Sequence, residues 1–362
     1  MKIIHCADLH LDSKLSANLD KEKASERKLE LLNAYNRMLN YALDNDVDAI
    51  IIAGDLFDTR AITKRAKNTV LDGIFSHESI DFYYLQGNHD SYNFFDDLDN
   101  VPDNLHMFGD SWNTYRIGNV TITGVELDKN NQNHIYSSLV LDNDKYNIVV
   151  MHGQESNSSA DKTENINLKE LRNKGIDYLA LGHIHAYKEE KLDNRGVYCY
   201  SGCLEGRGFD ECGEHGFVLL DIDEENRTAT RTFVNMSYRN LYEVKVDVTD
   251  CMTTREISDK VEEVLNEMNY ESKHLIKIIL CGKVDLECDI DVDTLLAEYR
   301  DEFYFLKIYD ETTMKVDYND YAKDESLKGE FVRMIMNADD IDDEDKPFVI
   351  KYGISLLTGE EV

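Results

Sequence analysis

Residues 49–58 read Ala-Ile-Ile-Ile-Ala-Gly-Asp-Leu-Phe-Asp. The first five are small or branched apolar residues, the pattern of a strand buried on both faces, as in a parallel sheet. Gly54 follows and lets the chain turn where a side chain would be in the way. Asp55 is thereby delivered to the carboxyl end of a buried strand, where open α/β sheets bind ligands. A carboxylate in such a place is costly unless something pairs with it. The stretch therefore constrains the chain to an α/β layered fold and asks for cations beside Asp55.

The rest of the sequence supplies the pattern that such a fold needs. Residues 2–7 form a short apolar strand ending in Asp8-Leu9-His10. Leu29, Leu32, Tyr35, Leu39 and Leu43 recur at helical spacing over 25–45, with Ser25 as the expected N-cap. Helix, strand and helix (64–76) then alternate, predicting βαβ units. The strand 82–85 runs into Gln86-Gly87-Asn88-His89-Asp90, the strand 147–151 into His152-Gly153, and the strand 178–181 into Gly182-His183-Ile184-His185. Segments 120–125, 197–201 and 216–222 are further strands, the last two expected to be antiparallel, and 168–174 is a short helix. Five strand ends thus finish in Asp, Asn or His.

After residues 223–227 the character changes, with a strand expected at 228–234 and a separate domain beginning near Ser237. Strands at 241–248, 274–281 and 302–309 alternate with helices at 255–268 and 292–299 and carry no ligand cluster, which predicts a separate small α+β domain over 237–362 behind a domain over 1–236. The aromatic residues there (Tyr299, Phe303, Tyr304, Phe305, Tyr309) are expected in its core rather than as a stacking surface. The acidic run 338–345 reads as a solvated loop or helix start, and 348–357 as a short helix packed on its own domain, with partner binding as the alternative.

Composition narrows the class. The chain has 362 residues, 39 basic and 72 acidic, a net charge of −33. That argues against a broad basic surface for nucleic acid, while bound divalent cations can still reverse the field in one cleft. Seven scattered cysteines without a CxxC pair are read as free thiols of a reducing cytoplasm. The opening Met1-Lys2-Ile3-Ile4-His5 reads as a strand rather than a signal peptide, and no run approaches the ~18 apolar residues of a membrane span.

Asp8, His10, Asp55, Asn88, His152, His183 and His185 offer three oxygen donors and four imidazoles. That suffices for two four-ligand sites if one carboxylate is shared, and Asp55 is the natural shared ligand. Two ions about 3.5–4 Å apart form the clamp used for in-line attack on phosphorus. Mixed oxygen and imidazole ligands suit Mn²⁺, with Mg²⁺, Fe or Zn as alternatives. His89 is left over, and its expected task is to protonate the leaving oxygen. His5, His77, His106, His134 and His274 are expected to be structural, and His215 and Arg207 are considered as phosphate contacts and set aside.

Asp8-x-His10, Gly54-Asp55-x-x-Asp58, Gly87-Asn88-His89-Asp90, His152-Gly153 and Gly182-His183-x-His185 resemble, in order, the five motifs of the calcineurin-like metallophosphoesterase superfamily. The resemblance implies a four-layer α-β-β-α sandwich with a smaller C-terminal capping domain. It implies one metal on Asp8, His10, Asp55 and His185, and the other on Asp55, Asn88, His152 and His183. It further implies that His89 is the catalytic histidine and that Asp90 and Asp58 support the ligands, with a metal-bridging hydroxide as the attacking group. Residues 5–12, Gly54-Asp55-Leu56-Phe57-Asp58 with Arg60, Tyr200-Ser201-Gly202, and Gly206-Arg207-Gly208-Phe209-Asp210-Glu211 are similar to the DNA repair exonuclease branch, the SbcD-like nuclease subunits. That branch implies a DNA substrate, a homodimer, and an SbcC-like coiled-coil ATPase partner, which the acidity of this chain makes more important for holding DNA. Two alternatives stay open: a phosphomonoesterase or cyclic-nucleotide phosphodiesterase, and a slow metal-containing scaffold subunit for an ATPase.

Overall fold

Alternation of apolar strands with amphipathic helices builds the molecule. The computed structural model describes residues 1–13, 15, 19–58, 62–90, 95, 98, 100–132, 134–156, 165–285, 288–314, 324–338, 340–342 and 345–358. Arg60 and part of the acidic run 338–345 lie outside them. The chain divides into two compact units, Met1–Asn240 and Leu241–Val362.

The first unit runs β1 (Lys2–Cys6), α1 (Lys21–Asp44), β2 (Ala49–Ala53), α2 (Lys64–Ser76), β3 (Asp81–Leu85), β4 (Leu105–Met107), β5 (Asn113–Ile117), β6 (Val120–Gly124), β7 (Tyr146–His152), β8 (Gln154–Ser156), β9 (Asn165–Asn167), α3 (Leu168–Leu171), β10 (Tyr178–Gly182), β11 (Lys188–Lys191), β12 (Val197–Tyr200), β13 (Gly216–Asp223) and β14 (Thr228–Asn235). Two six-stranded sheets result, ordered β14-β13-β1-β2-β3-β4 and β11-β12-β10-β7-β6-β5. Between them lies a core of Ile3, Ile51, Tyr83, Ile122, Ile148, Val150, Tyr178 and Val218. The alternate residues Ile4, Cys6, Ile50 and Ile52 face outward, onto Leu31, Tyr35, Leu39, Val70 and Ile74 of α1 and α2. On the far face of the second sheet, Val149, Leu179 and Leu181 are covered by Leu168 and Leu171 of α3 and by Ile135 of a 3₁₀ turn. The expected four-layer α-β-β-α sandwich is therefore present, its fourth layer thin.

Three local expectations are corrected. Helix α1 starts four residues before Ser25, because the Asp20 carboxylate accepts the Lys23 N–H at 2.8 Å and caps it there. Helix α3 stops at Leu171 rather than 174: Arg172 is extended and Asn173 takes a φ of +61°. Strand β12 is antiparallel only to β11 and runs parallel to β10, since the β11–β12 hairpin returns it in that direction. Strand β13 is antiparallel to both its neighbours.

The second unit runs β15 (Leu241–Asp247), α4 (Thr254–Met268), β16 (Leu275–Cys281), β17 (Lys283–Val284), α5 (Val292–Tyr299), β18 (Phe305–Asp310), β19 (Thr313–Met314), α6 (Leu327–Met336) and α7 (Lys346–Thr358). Strands β15, β16 and β18 are all parallel, in that order. Val244, Val246, Ile276 and Ile278 pack on Ile257, Val261 and Leu265 of α4 and on Leu295 and Tyr299 of α5. Tyr299 is in the core as expected, whereas Tyr309 is 43% exposed. Helix α7 packs Ile350 and Ile354 on Val332 and Ile335 of α6. None of the seven cysteines, all among the described residues, is in a disulfide. Among the described residues no helix is long and apolar enough to cross a membrane.

Candidate metal centre

Neighbouring parallel strands deliver the polar turns to one edge. Strands β1, β2 and β3 lie side by side and end at Asp8, Asp55 and the Asn88 turn, and β7 and β10 do the same for His152 and His183. The turns are laced by backbone bonds: Asp8 N–H to Gly54 O (3.0 Å), His10 N–H to Asp55 O (2.9 Å) and Gly153 N–H to Gly182 O (3.1 Å). Close approach of the two sheets needs glycine. A Cβ on Gly182 would stand 2.0 Å from Ala53 O, and one on Gly54, whose φ is +93°, 2.2 Å from His152 Nδ1.

All seven expected ligands converge. His10 Nε2 faces His185 Nε2 at 3.1 Å. Asp55 Oδ2 stands 3.7 Å from His10 Nε2 on one side and 3.4 Å from His152 Nε2 on the other. Asn88 Oδ1 stands 2.9 Å from His152 Nε2 and 3.3 Å from His183 Nδ1. Asp8 accepts the His183 N–H with both oxygens at 2.9 Å. Asp8, His10 and His185 form one group, and Asp8, Asp55 and His152 another, each with its ligand atoms within 4.8 Å of one another. His89 is half exposed, its ring 5.0 Å from that of His10, its N–H given to Asp55 Oδ1 at 2.8 Å.

The electrostatics fit bound cations. Asp8, His10 and Asp55 are almost wholly buried. Burial pushes the Asp8 carboxyl up to about 6. Burial also acts on Asp55, but the hydrogen bond from His152 and the charges of His152 and His10 outweigh it and hold the carboxyl well below its usual range. His152 shows the converse: burial lowers it, and Asp55 and Asp8 bring it up to about 9. A buried set of two carboxylates with imidazole nitrogens opposed at 3.1 Å is the donor chemistry of divalent ions with mixed oxygen and nitrogen ligands.

The supporting residues differ from expectation in detail. Asp58 Oδ1 stands 3.2 Å from His10 Nδ1 and 3.5 Å from His89 Nδ1. Asp90 instead braces backbone: its carboxylate accepts the N–H groups of Leu56 (3.1 Å), Phe57 (2.9 Å) and Gly87 (3.1 Å), tying the Asp55 turn to the Asn88 turn. Two residues had no role assigned from sequence. Glu211 Oε1 accepts from His185 Nδ1 at 2.6 Å, and Arg207 Nη2 donates to the same oxygen at 2.8 Å. The signal was the segment Gly206–Glu211, similar to the nuclease branch, whose Arg and Glu stand four residues apart. His215 is buried and donates to Glu211 O at 2.8 Å.

The profile of the calcineurin-like phosphoesterases matches residues 1–187. The DNA double-strand break repair protein Mre11 of Sulfurisphaera tokodaii is 25% identical over 345 residues, covering 89% of this chain and 84% of that protein. The SbcD component of the nuclease SbcCD of Staphylococcus epidermidis is 26% identical over 308 residues, 75% of this chain and 77% of that one. The uncharacterized metallophosphoesterase YhaO of Bacillus subtilis is 24% identical, covering 78% and 72%. The match extends over more than half of the chain and takes in the converging strand ends from Asp8 to His185: the chain belongs to the calcineurin-like phosphoesterase family of metal-dependent hydrolases.

Proposed function

We propose that the chain is a dinuclear-metal phosphodiesterase that cuts DNA as the nuclease subunit of a repair complex. One observation carries the reading: a single carboxylate oxygen, Asp55 Oδ2, lies between His10 Nε2 and His152 Nε2, members of the two ligand groups. Asp8, His10, Asp55 and His185 would hold one ion, and Asp55, Asn88, His152 and His183 the other. When bound, such a pair activates water and neutralises charge on the phosphate. Mn²⁺ suits the donor set. To His89, half exposed beside Asp58, we assign the proton given to the leaving oxygen. A DNA substrate is supported by the name of the Mre11 relative, and a partner of the SbcC type by that of the SbcCD subunit. The coiled-coil ATPase character of that partner is what the resemblance to the nuclease branch implies. The acidity of the chain favours a partner that holds DNA. A homodimer is the assembly we assign to it.

Titration of the full chain with Mn²⁺ should give two ions, and the loaded protein should degrade linear DNA beside its ATPase. His89→Ala should lose about 10²–10⁴-fold in rate while still binding two ions. Cleavage of bis-p-nitrophenyl phosphate with DNA untouched even beside the ATPase would overturn the nuclease reading and favour a small phosphoester. Fewer than two ions at saturation would overturn the dinuclear one.

A further inference from the structure

We infer that Arg207 is a positioning residue for one metal site only: it holds the two carboxylates that orient His10 and His185 from behind. The inference rests on the dinuclear reading above and adds to it an asymmetry between the sites.

The guanidinium is partly buried, at 17% exposure, and lies between two acids. Its Nε and Nη2 donate to Glu211 Oε1 at 3.2 and 2.8 Å, and its Nη1 stands 3.5 Å from Asp58 Oδ1. Glu211 hydrogen-bonds the outward nitrogen of one imidazole, its Oε1 accepting from His185 Nδ1 at 2.6 Å, and Asp58 stands at ion-pair distance from that of another, its Oδ1 3.2 Å from His10 Nδ1. Arg207 Nη2 is itself 3.1 Å from His185 Nδ1, so the arginine and the histidine share one acceptor. The remaining nitrogens, His10 Nε2 and His185 Nε2, are thereby turned toward each other at 3.1 Å, on the side of Asp8 and Asp55. A carboxylate on the outer nitrogen of a ligand histidine fixes the ring and raises its basicity. Here both such carboxylates share one cation.

His152 is held differently. Its Nδ1 lies 2.9 Å from the carbonyl of Ala53, at the end of β2. The second ligand group therefore has a backbone support that no side-chain substitution at 207 touches. A fork reaching two acids also explains why arginine stands here, since an ammonium is a point charge.

The loop that carries Arg207 is pinned. Its own N–H is given to Glu211 Oε2 at 2.7 Å. Two residues earlier the buried Glu205 accepts Arg27 (3.2 Å) and Arg37 (3.0 Å) from α1, and the backbone N–H groups of Tyr238 and Arg239 (2.9 Å each). The Gly206 carbonyl accepts Arg27 as well. The guanidinium is thus set by the fold rather than free to follow a ligand.

The test is Mn²⁺ binding to the 362-residue chain, read by calorimetry and by the electron-spin signal of a coupled ion pair. Arg207→Met should bind one ion as the wild type does and the other about 10–100-fold more weakly, with the coupled signal giving way to that of a single ion. Glu211→Gln should weaken the same ion, and Arg207→Lys should recover part of the loss. Melting in EDTA monitors folding; if Arg207→Met does not fold, Glu211→Gln and Asp58→Asn carry the same expectation. Two ions bound with wild-type affinity, or both weakened equally, would overturn the inference. A wild type that binds fewer than two ions overturns the dinuclear reading instead, so the two failures are distinguishable.

Discussion

Asp8, His10, Asp55 and His183 have φ angles of +52°, +43°, +53° and +103°. Residues with side chains visit this region rarely, and each such position costs on the order of 1–3 kcal/mol unless its surroundings impose it. The surroundings do so here, because each residue turns a chain end inward at the end of a buried strand. None of this was legible in the sequence, which carried residue types and the neighbouring glycines but not the backbone angles. A buried residue just upstream yields a prediction. His5 is wholly buried, with Nδ1 2.8 Å from the Tyr178 hydroxyl, and burial pushes its pKa down to about 3. In an unfolded chain it titrates near 6.5. Between those values the unfolded state binds a proton that the folded state does not, so stability rises with pH and is lost as pH falls from about 6.5 toward 3. His5→Gln removes that proton. Its unfolding free energy in EDTA, measured by denaturant at several pH values between about 4 and 6, should rise less steeply than the wild type's by about 1.4 kcal/mol per pH unit. Parallel slopes would show that His5 is not the neutral buried group described.

At the scale of elements, what was legible is what local chemistry decides. Helix α2 begins where Thr63 caps it, accepting the Ala66 N–H at 3.2 Å, and its bounds match the expected 64–76. Helix α5 likewise matches 292–299, capped by Asp291. Strands β2, β3, β7 and β10 were visible as apolar runs ending in ligands. The division of strands between two sheets was not visible, since it is set by pairings far apart in the chain, such as Lys2 of β1 with Asp221 of β13. The Glu205 junction was equally hidden: it joins α1, the Arg207 loop and residues 238–239 through a carboxylate that is 1% exposed. Truncating one member of a buried ion network strands its partners, at a cost of about 3–5 kcal/mol. Glu205→Ala should therefore lower the unfolding free energy by that amount in urea, since Arg27 is as deeply buried as the acid it loses. A loss below about 1 kcal/mol, the range of an exposed pair, would mean that the junction is hydrated and contributes little.

Over the whole molecule the net charge of −33 sets how the chain meets an anionic polymer. Duplex DNA carries one negative charge per about 1.7 Å of axis, so the approach of the isolated chain is opposed except where bound cations reverse the field. The opposition acts through solvent and is screened over about 30 Å at 0.01 M salt and about 8 Å at 0.15 M. Salt should therefore act in the direction opposite to that for a basic DNA-binding protein, whose affinity falls because counterions released into more concentrated salt gain less free energy. For the isolated Mn²⁺-loaded chain at low substrate, cleavage of a short duplex should rise several-fold between about 0.01 and 0.15 M salt. Hydrolysis of the small, singly charged bis-p-nitrophenyl phosphate should change by less than about two-fold over the same range. On the function proposed, adding an SbcC-type ATPase should reverse the sign for DNA alone, because holding the duplex is then the task assigned to the partner. A steep fall in DNA cleavage with salt by the isolated chain would instead require a basic DNA-binding surface on the chain itself, and the role assigned to the partner would fail.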